Sequence, residues 1–500
     1  MIDQISSERQ SMDKSRCAGI LLHPTSLPGP LSGGDIGHEA YRFVEFLHAC
    51  GIKVWQMLPL CPPHEDLSPY QCFSAHAGNP ALISLDWLVD RGWLDLEAIR
   101  QPQVNGRYRS ICLEQAHDHF NQVPPDSEWK GRLQEFRLSN KSWLDDFCLF
   151  VGLKKRYGMK PWYLWPPGLR QRNKSALLQA ASELSQAIDQ AVFEQFVFFT
   201  QWREIREYAA RYNVRIFGDM PIFVSHDSAD VWANRENFQV NEDGSMTYVS
   251  GVPPDAFSPT GQKWGNPLYD WEYMQRDGFK WWKDRLATLL QLFDLIRVDH
   301  FRGLDACWEI PAGDETAING HWRDVPGETL LKALHDCYPT LPLIAEDLGV
   351  ITDRVHALKE RFGLPGMKVL QFAFDGNNAN PHLPHRHRHC DVVYTGTHDN
   401  DTTLGWIRDE EKYNRNFFLA YSGCRSDSAE EQMLAMLRMA LSSVSFLCVL
   451  PMQDILLLDS SARMNTPGTV CGNWAWRFSW QQINPERTEQ ITRLIALYQR

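Results

Sequence analysis

Arg297 and Asp299 lie two residues apart in a stretch whose other members, Phe293, Leu295, Ile296 and Val298, are apolar. On a strand that spacing turns both side chains to one face. A guanidinium beside a carboxylate keeps the carboxylate ionised. The stretch therefore reads as a charged aspartate at the mouth of a core. Three further apolar runs end in acids: Asp219 after 214–217, Glu346 and Asp347 after 343–345, and Asp399 after 392–394 by way of Thr397 and His398. Carboxylates gathered at one place repel each other, so folding alone gives little reason to converge them. Cleavage of a glycosidic bond gives one. A carboxylate attacks the anomeric carbon while a carboxylic acid protonates the leaving oxygen. Asp299, held ionised by Arg297, suits the nucleophile. Glu346 follows an apolar approach that raises its pKa, and suits the acid/base. Asp399 suits a partner of the transition state, gripping sugar hydroxyls as positive charge develops on the ring. His300 and His398 stand beside the acids as donors to sugar hydroxyls. Asp219 either binds sugar or holds Arg297.

Eight short apolar runs carry these residues: 20–22, 54–58, 214–217, 295–298, 343–345, 368–372, 392–394 and 446–450. Helical patterns lie between many of them, for example at 39–50 and 430–441. Alternating strands and helices imply a parallel sheet, and eight repeats imply a closed (β/α)8 TIM barrel. Catalysis on such a barrel sits where the strands end, which is where the acids fall. Two connections are longer than a barrel needs. Residues 64–200, after the second strand, are expected to form an inserted, mostly helical subdomain. Residues 219–280, after the third, are rich in Gly, Pro, Asn and aromatics, and are expected to form loops over the mouth. The whole chain, 1–500, is expected to be one catalytic barrel domain with these insertions.

The net charge of −12 argues against nucleic-acid and anionic-membrane partners. No apolar run approaches the length of a membrane span, and none follows the N-terminal charges as a secretory signal does. Twelve cysteines without a C-x-x-C pair read as reduced thiols of a cytoplasmic protein. The 19 tryptophans are unusually many; aromatic faces suit the C–H faces of sugars, but a large core uses them too. Acids on barrel strand ends also ligate Mg²⁺ in other enzymes. Here Arg297 crowds a cation at Asp299, and no lysine follows a nearby strand as a base. His382, His385, His387 and His389 with Cys390 read as an exposed loop rather than a metal site. No nucleotide-binding pattern occurs.

Several stretches resemble the 4-α-glucanotransferases, also called amylomaltases or disproportionating enzymes. They are Ser68-Pro69-Tyr70-Gln71; Gly218-Asp219-Met220-Pro221-Ile222; Asp227-Ser228-Ala229-Asp230-Val231-Trp232; Pro253-Pro254-Asp255; Gly261-Gln262-Lys263-Trp264-Gly265-Asn266-Pro267; Arg297 to Gly303; Ala345-Glu346-Asp347-Leu348-Gly349; Gly396 to Asn400; and Ala462-Arg463-Met464-Asn465-Thr466-Pro467-Gly468. The resemblance runs in order from about residue 19 to about 477. It implies a barrel of the α-amylase clan that cuts α-1,4-glucans with retention. It implies transfer of the glucanyl unit to the 4-hydroxyl of another glucan or of glucose, with no organic cofactor and no catalytic calcium. Family roles fall on Asp299 as nucleophile, Glu346 as acid/base and Asp399 as stabiliser. Tyr70, Asp219, Arg297, His300 and His398 match sugar-contact positions, and Trp264 and Asn266, in the motif of the loop that covers the glucan, are expected to bind substrate as well. Two features depart from the pattern. The segment 454–459 stands where many members carry glycine, and Lys263 stands where an apolar residue is common. An α-amylase-type hydrolase lacks the Gly261–Asn266 loop motif, and a non-catalytic glucan binder has no need of the three acids.

Overall fold

The computed structural model describes residues 14–29, 33–100, 107–255, 258–409, 411 and 413–500. Eight parallel strands form the central sheet: β1 (Cys17–Leu21), β2 (Val54–Gln56), β3 (Arg215–Met220), β4 (Leu295–Val298), β5 (Leu343–Ala345), β6 (Met367–Val369), β7 (Val392–Tyr394) and β8 (Leu447–Pro451). Their spatial order is β6-β7-β8-β1-β2-β3-β4-β5. This is the (β/α)8 barrel, and each of the eight apolar runs supplies one strand. β5 and β6 meet at the closing seam. There the Ala345 N–H donates to Pro365 O at 2.8 Å, and the Met367 N–H donates to Asp347 Oδ1 at 2.7 Å.

Alternate residues of each strand face opposite ways. One set, including Leu21, Val54, Phe217, Leu295, Ile344, Val369, Val392 and Val449, fills the barrel interior. The other set, including Ile20, Trp55, Ile216 and Ile296, packs under the outer helices. Asp219 and Arg297 share the parity of Phe217 and Leu295, so they cap the interior at the strand ends. They are also direct ladder partners between β3 and β4. Gly218 faces the other way, where an added Cβ would lie 2.2 Å from the Phe293 ring. That close approach lets the helix Lys280–Leu292, which ends at Phe293, lie flat on the sheet.

Between β2 and β3 the chain forms a run of helices that ends in Ser185–Arg211, the 27-residue helix leading into β3. Much of the tryptophan is used in packing. Trp93 meets Trp129 and Phe120 edge-on, at 5.1 and 4.7 Å between ring centres, and Trp55, Trp162, Trp165, Trp202, Trp232 and Trp282 are fully buried. The β3–β4 connection holds two strands, Tyr248–Val252 and Gln262–Lys263. The two pair antiparallel with each other, and Tyr248–Val252 also pairs antiparallel with Ala306–Pro311 of a hairpin after β4, whose second strand is His321–Asp324. Sequence patterning shows neither the small sheet nor its hairpin, because its edge strand His321–Asp324 is exposed throughout and has no apolar alternation. No described helix is long and apolar enough to cross a membrane.

Candidate active site

Asp299 leaves the end of β4, and its Oδ1 accepts from Arg297 Nη2 at 2.7 Å. Arg297 Nη1 donates to Asp219 Oδ2 at 2.6 Å. Asp219 is 1% exposed at its side chain and Asp299 is 28% exposed. Asp219 therefore holds the guanidinium from a buried position, while Asp299 is the more open of the two carboxylates. Burial pushes the Asp219 carboxyl upward and Arg297 opposes it. Burial also works against charge on Arg297, yet Asp219 and Asp299 together hold its pKa well above the ordinary arginine value. The two side chains meet in a buried contact at 2.6 Å.

His300 follows with a left-handed backbone, φ +48°. A bulky residue adopts that conformation only where its surroundings enforce it. The turn aims the His300 N–H at Glu346 Oε2, 2.8 Å away, while the Leu348 N–H reaches Glu346 Oε1 at 3.1 Å. Burial first, then the charge of Asp299, raises the Glu346 carboxyl to about 8, against the pull of Arg297. Part of the residue still faces the cleft. Burial lowers the His300 imidazole to about 4, so it is neutral near pH 7. The two acids thus meet opposite environments, the arrangement that separates a nucleophile from a proton donor.

Asp399 follows β7. Its Oδ1 accepts from Asn465 Nδ2 at 2.7 Å and lies 3.3 Å from His398 Nε2. Arg463 Nη2 donates to the Asp399 backbone oxygen at 2.5 Å. Tyr70, from the loop after β2, joins this half to the other. Its hydroxyl donates to Asp219 Oδ2 at 2.7 Å and lies 2.9 Å from His398 Nε2. With that proton committed to Asp219, His398 Nε2–H donates to the phenol oxygen. The Tyr70 and His398 rings also stack, 5.3 Å apart and 16° between planes. Burial, then the Asp219 charge, holds the Tyr70 phenol well above its ordinary value, so it stays protonated. A continuous chain of contacts therefore runs Asp399, His398, Tyr70, Asp219, Arg297, Asp299.

Trp264 stands edge-on to His300 at 4.9 Å and donates its indole N–H to Gln262 Oε1 at 3.2 Å. Asn266 does not reach the rim with it. Its Nδ2 donates to Val224 O at 2.9 Å, its backbone oxygen accepts from the Ser250 N–H, and the residue is buried. The expected sugar contact is therefore corrected to a mooring for the covering loop, since the side chain's donor is already committed below the surface. Lys263 moors the same loop from outside, donating to Ala312 O at 2.7 Å and Asp314 O at 2.6 Å. In the segment 454–459, Leu457 takes the left-handed conformation, φ +56°, that a glycine adopts without strain. Asn465 and Arg463 carried no role in the sequence reading, although the Arg-Met-Asn run was visible; nothing in spacing said that it folds back under Asp399.

A metal fits poorly here. A cation on Asp299 would meet the Arg297 guanidinium, and no group of three or more His, Cys, Asp or Glu among the described residues could hold one. The histidine-rich loop is also occupied and is not wholly exposed. His387 is buried, with Nδ1 2.7 Å from Ser443 Oγ and Nε2 2.8 Å from His382 O, while His382 Nδ1 accepts from the Val369 N–H.

A family model described as 4-alpha-glucanotransferase matches residues 22–483. A 4-alpha-glucanotransferase from Thermus thermophilus is 47% identical over 491 residues, covering 96% of this chain and 98% of its own. One from Synechocystis is 43% identical, covering 98% of this chain and 99% of its own. An amylomaltase from Streptococcus agalactiae, solved in complex with acarbose, superposes with a TM-score of 0.93 at 34% identity, covering 97% of this chain and all of that one. The matched residues 22–483 include all the acids of the rim, and the chain belongs to the 4-alpha-glucanotransferase family, enzymes that act on α-1,4-glucans.

Proposed function

We propose that the protein transfers glucanyl segments by a retaining, two-step mechanism through Asp299. In the first step an Asp299 oxygen bonds to the anomeric carbon as the glycosidic C1–O4 bond breaks. Glu346 gives its proton to the departing O4. In the second step the 4-hydroxyl of an acceptor glucan, or of glucose, bonds to C1. Its proton passes to Glu346, and the ester to Asp299 breaks. Asp399, clamped by Asn465, holds sugar hydroxyls while positive charge grows on the ring. The pairing of Asp299 with Arg297 at 2.7 Å, next to a Glu346 whose carboxyl burial raises to about 8, is what carries this reading.

Transfer in place of hydrolysis requires water to be kept from the ester. The segments 64–80 and 251–267, which bring Tyr70 and Trp264 to the mouth, are the candidates to cover it. Sugar hydroxyls and C–H faces are then the only ligands needed; no organic cofactor, nucleic acid or membrane enters. The scattered thiols of the sequence support a cytoplasmic setting.

The Asp299→Asn variant is expected to lose turnover and keep glucan binding. Turnover near that of the unaltered protein would remove Asp299 as nucleophile. Incubation with maltotriose is expected to give longer chains without a matching rise in reducing ends. One new reducing end for every bond cut would make the protein a hydrolase instead.

A further inference from the structure

Trp474 lies in the segment after β8 and has no role in the steps above. Its backbone is left-handed, φ +63°. Among the described residues nine non-glycine positions have positive φ, and three of them, Leu67, His300 and Trp474, belong to segments that form the mouth. Bulky residues are held in that conformation where the surroundings enforce it, often at ligand-contacting sites. The surroundings here are specific. The Trp474 N–H donates to Met464 O at 2.8 Å. The neighbouring Asn473 accepts from the Thr466 N–H at 2.9 Å and donates to Thr469 O at 3.0 Å. The same segment supplies Asn465 and Arg463 to Asp399.

The result is an indole at the Tyr70–His398 stack. Its centre is 6.0 Å from each of the two rings, tilted by 48° and 37°. It rests on the interior core of the barrel but stays partly exposed. A plug for the barrel end needs only apolar volume. A flat ring, tilted against two site residues and held by an enforced backbone, has a shape that volume alone does not require.

The geometry points to Trp474 as a specificity-determining platform, on which the apolar C–H face of the glucosyl unit adjoining the cleaved linkage rests. The inference deepens the proposed function and rests on it for the class of ligand. Aromatic faces of this size bury much apolar area on a partner. Removing the ring therefore acts on glucan affinity.

The test uses equilibrium binding of maltotriose by calorimetry, with Trp474→Ala and Trp474→Leu each placed on the Asp299→Asn chain. Leu keeps an apolar plug and removes the flat face. Both variants are expected to bind maltotriose about tenfold more weakly, and Trp474→Tyr to recover most of the loss. In the otherwise unaltered enzyme the same changes fall on KM for maltotriose rather than on kcat. Binding by the Leu variant equal to that of its parent would overturn the platform, as would a lowered melting temperature with KM unchanged. Because binding is read without turnover, a failure of Asp299 as nucleophile leaves this outcome separately legible.

Discussion

In the proposed mechanism Glu346 has to hold a proton near neutral pH. Burial is the largest cause favouring its protonated form, and the Asp299 charge adds to it. The carboxyl rises from an ordinary 4.5 to about 8, so between those values the folded protein keeps a proton that the unfolded chain releases. This contribution favours the folded state at low pH and is lost as the pH rises through about 8. Two outcomes follow at this one residue. Activity of the unaltered protein falls above about pH 8 as the acid loses its proton. Glu346→Gln cannot ionise, so its melting temperature relative to the unaltered protein is higher at pH 9 than at pH 5. Melting curves at both pH values check this; an equal offset at the two would mean that another group titrates. The same variant loses transfer from maltodextrin and keeps more of it from a donor whose leaving group needs no proton.

The segment that brings Tyr70 to the site is moored by the long helix Ser185–Arg211. Gln195 accepts from the Gly78 N–H and donates to Gly78 O, both at 2.8 Å, and Gln201 does the same for Ser84 at 2.8 and 3.1 Å. Each glutamine stands in for a strand partner. Gly78 is needed there, since an added Cβ would lie 1.9 Å from Phe198. Gln195→Leu strands both backbone groups of Gly78 in a buried place, at about 1–3 kcal/mol for each group. Gln195→Glu sets a carboxyl against the Gly78 oxygen in a place where ionising it is costly, so its cost grows as the pH rises. Denaturant midpoints order the two variants, and a Leu variant as stable as the unaltered protein would show that Gln195 is not the mooring. Such bonds also mark the limit of what the residues disclose in advance. Strand runs and the acids at their ends were legible, because apolar length and a polar exit are local patterns. The turn of a side chain is not local. Asn266 sits in a recognisable motif, yet its amide points down to Val224. Asp347 stands at a strand end like the other acids, yet it faces the seam and not the cleft.

Closure of the barrel depends on that seam. β5 and β6 are joined through Asp347, whose Oδ1 accepts from the Met367 N–H at 2.7 Å while its Oδ2 meets the Lys359 ammonium. Both side chains are almost wholly buried, at 1% exposure each. Gly366 leaves them room, since an added Cβ there would lie 2.5 Å from an oxygen of one and from the nitrogen of the other. Glu346 is the residue before Asp347, so the seam and the proposed proton donor share one turn of chain. Removing one partner of a buried pair leaves the other charge without compensation, at about 3–5 kcal/mol. Lys359→Met is therefore expected to cost about that much stability in urea denaturation. Asp347→Asn combined with Lys359→Met leaves no buried charge at the seam and keeps an acceptor for the Met367 N–H. The double variant is expected to recover much of the loss. A single variant within about 1 kcal/mol of the unaltered protein, or a double variant whose losses simply add, would mean that the pair does not close the barrel.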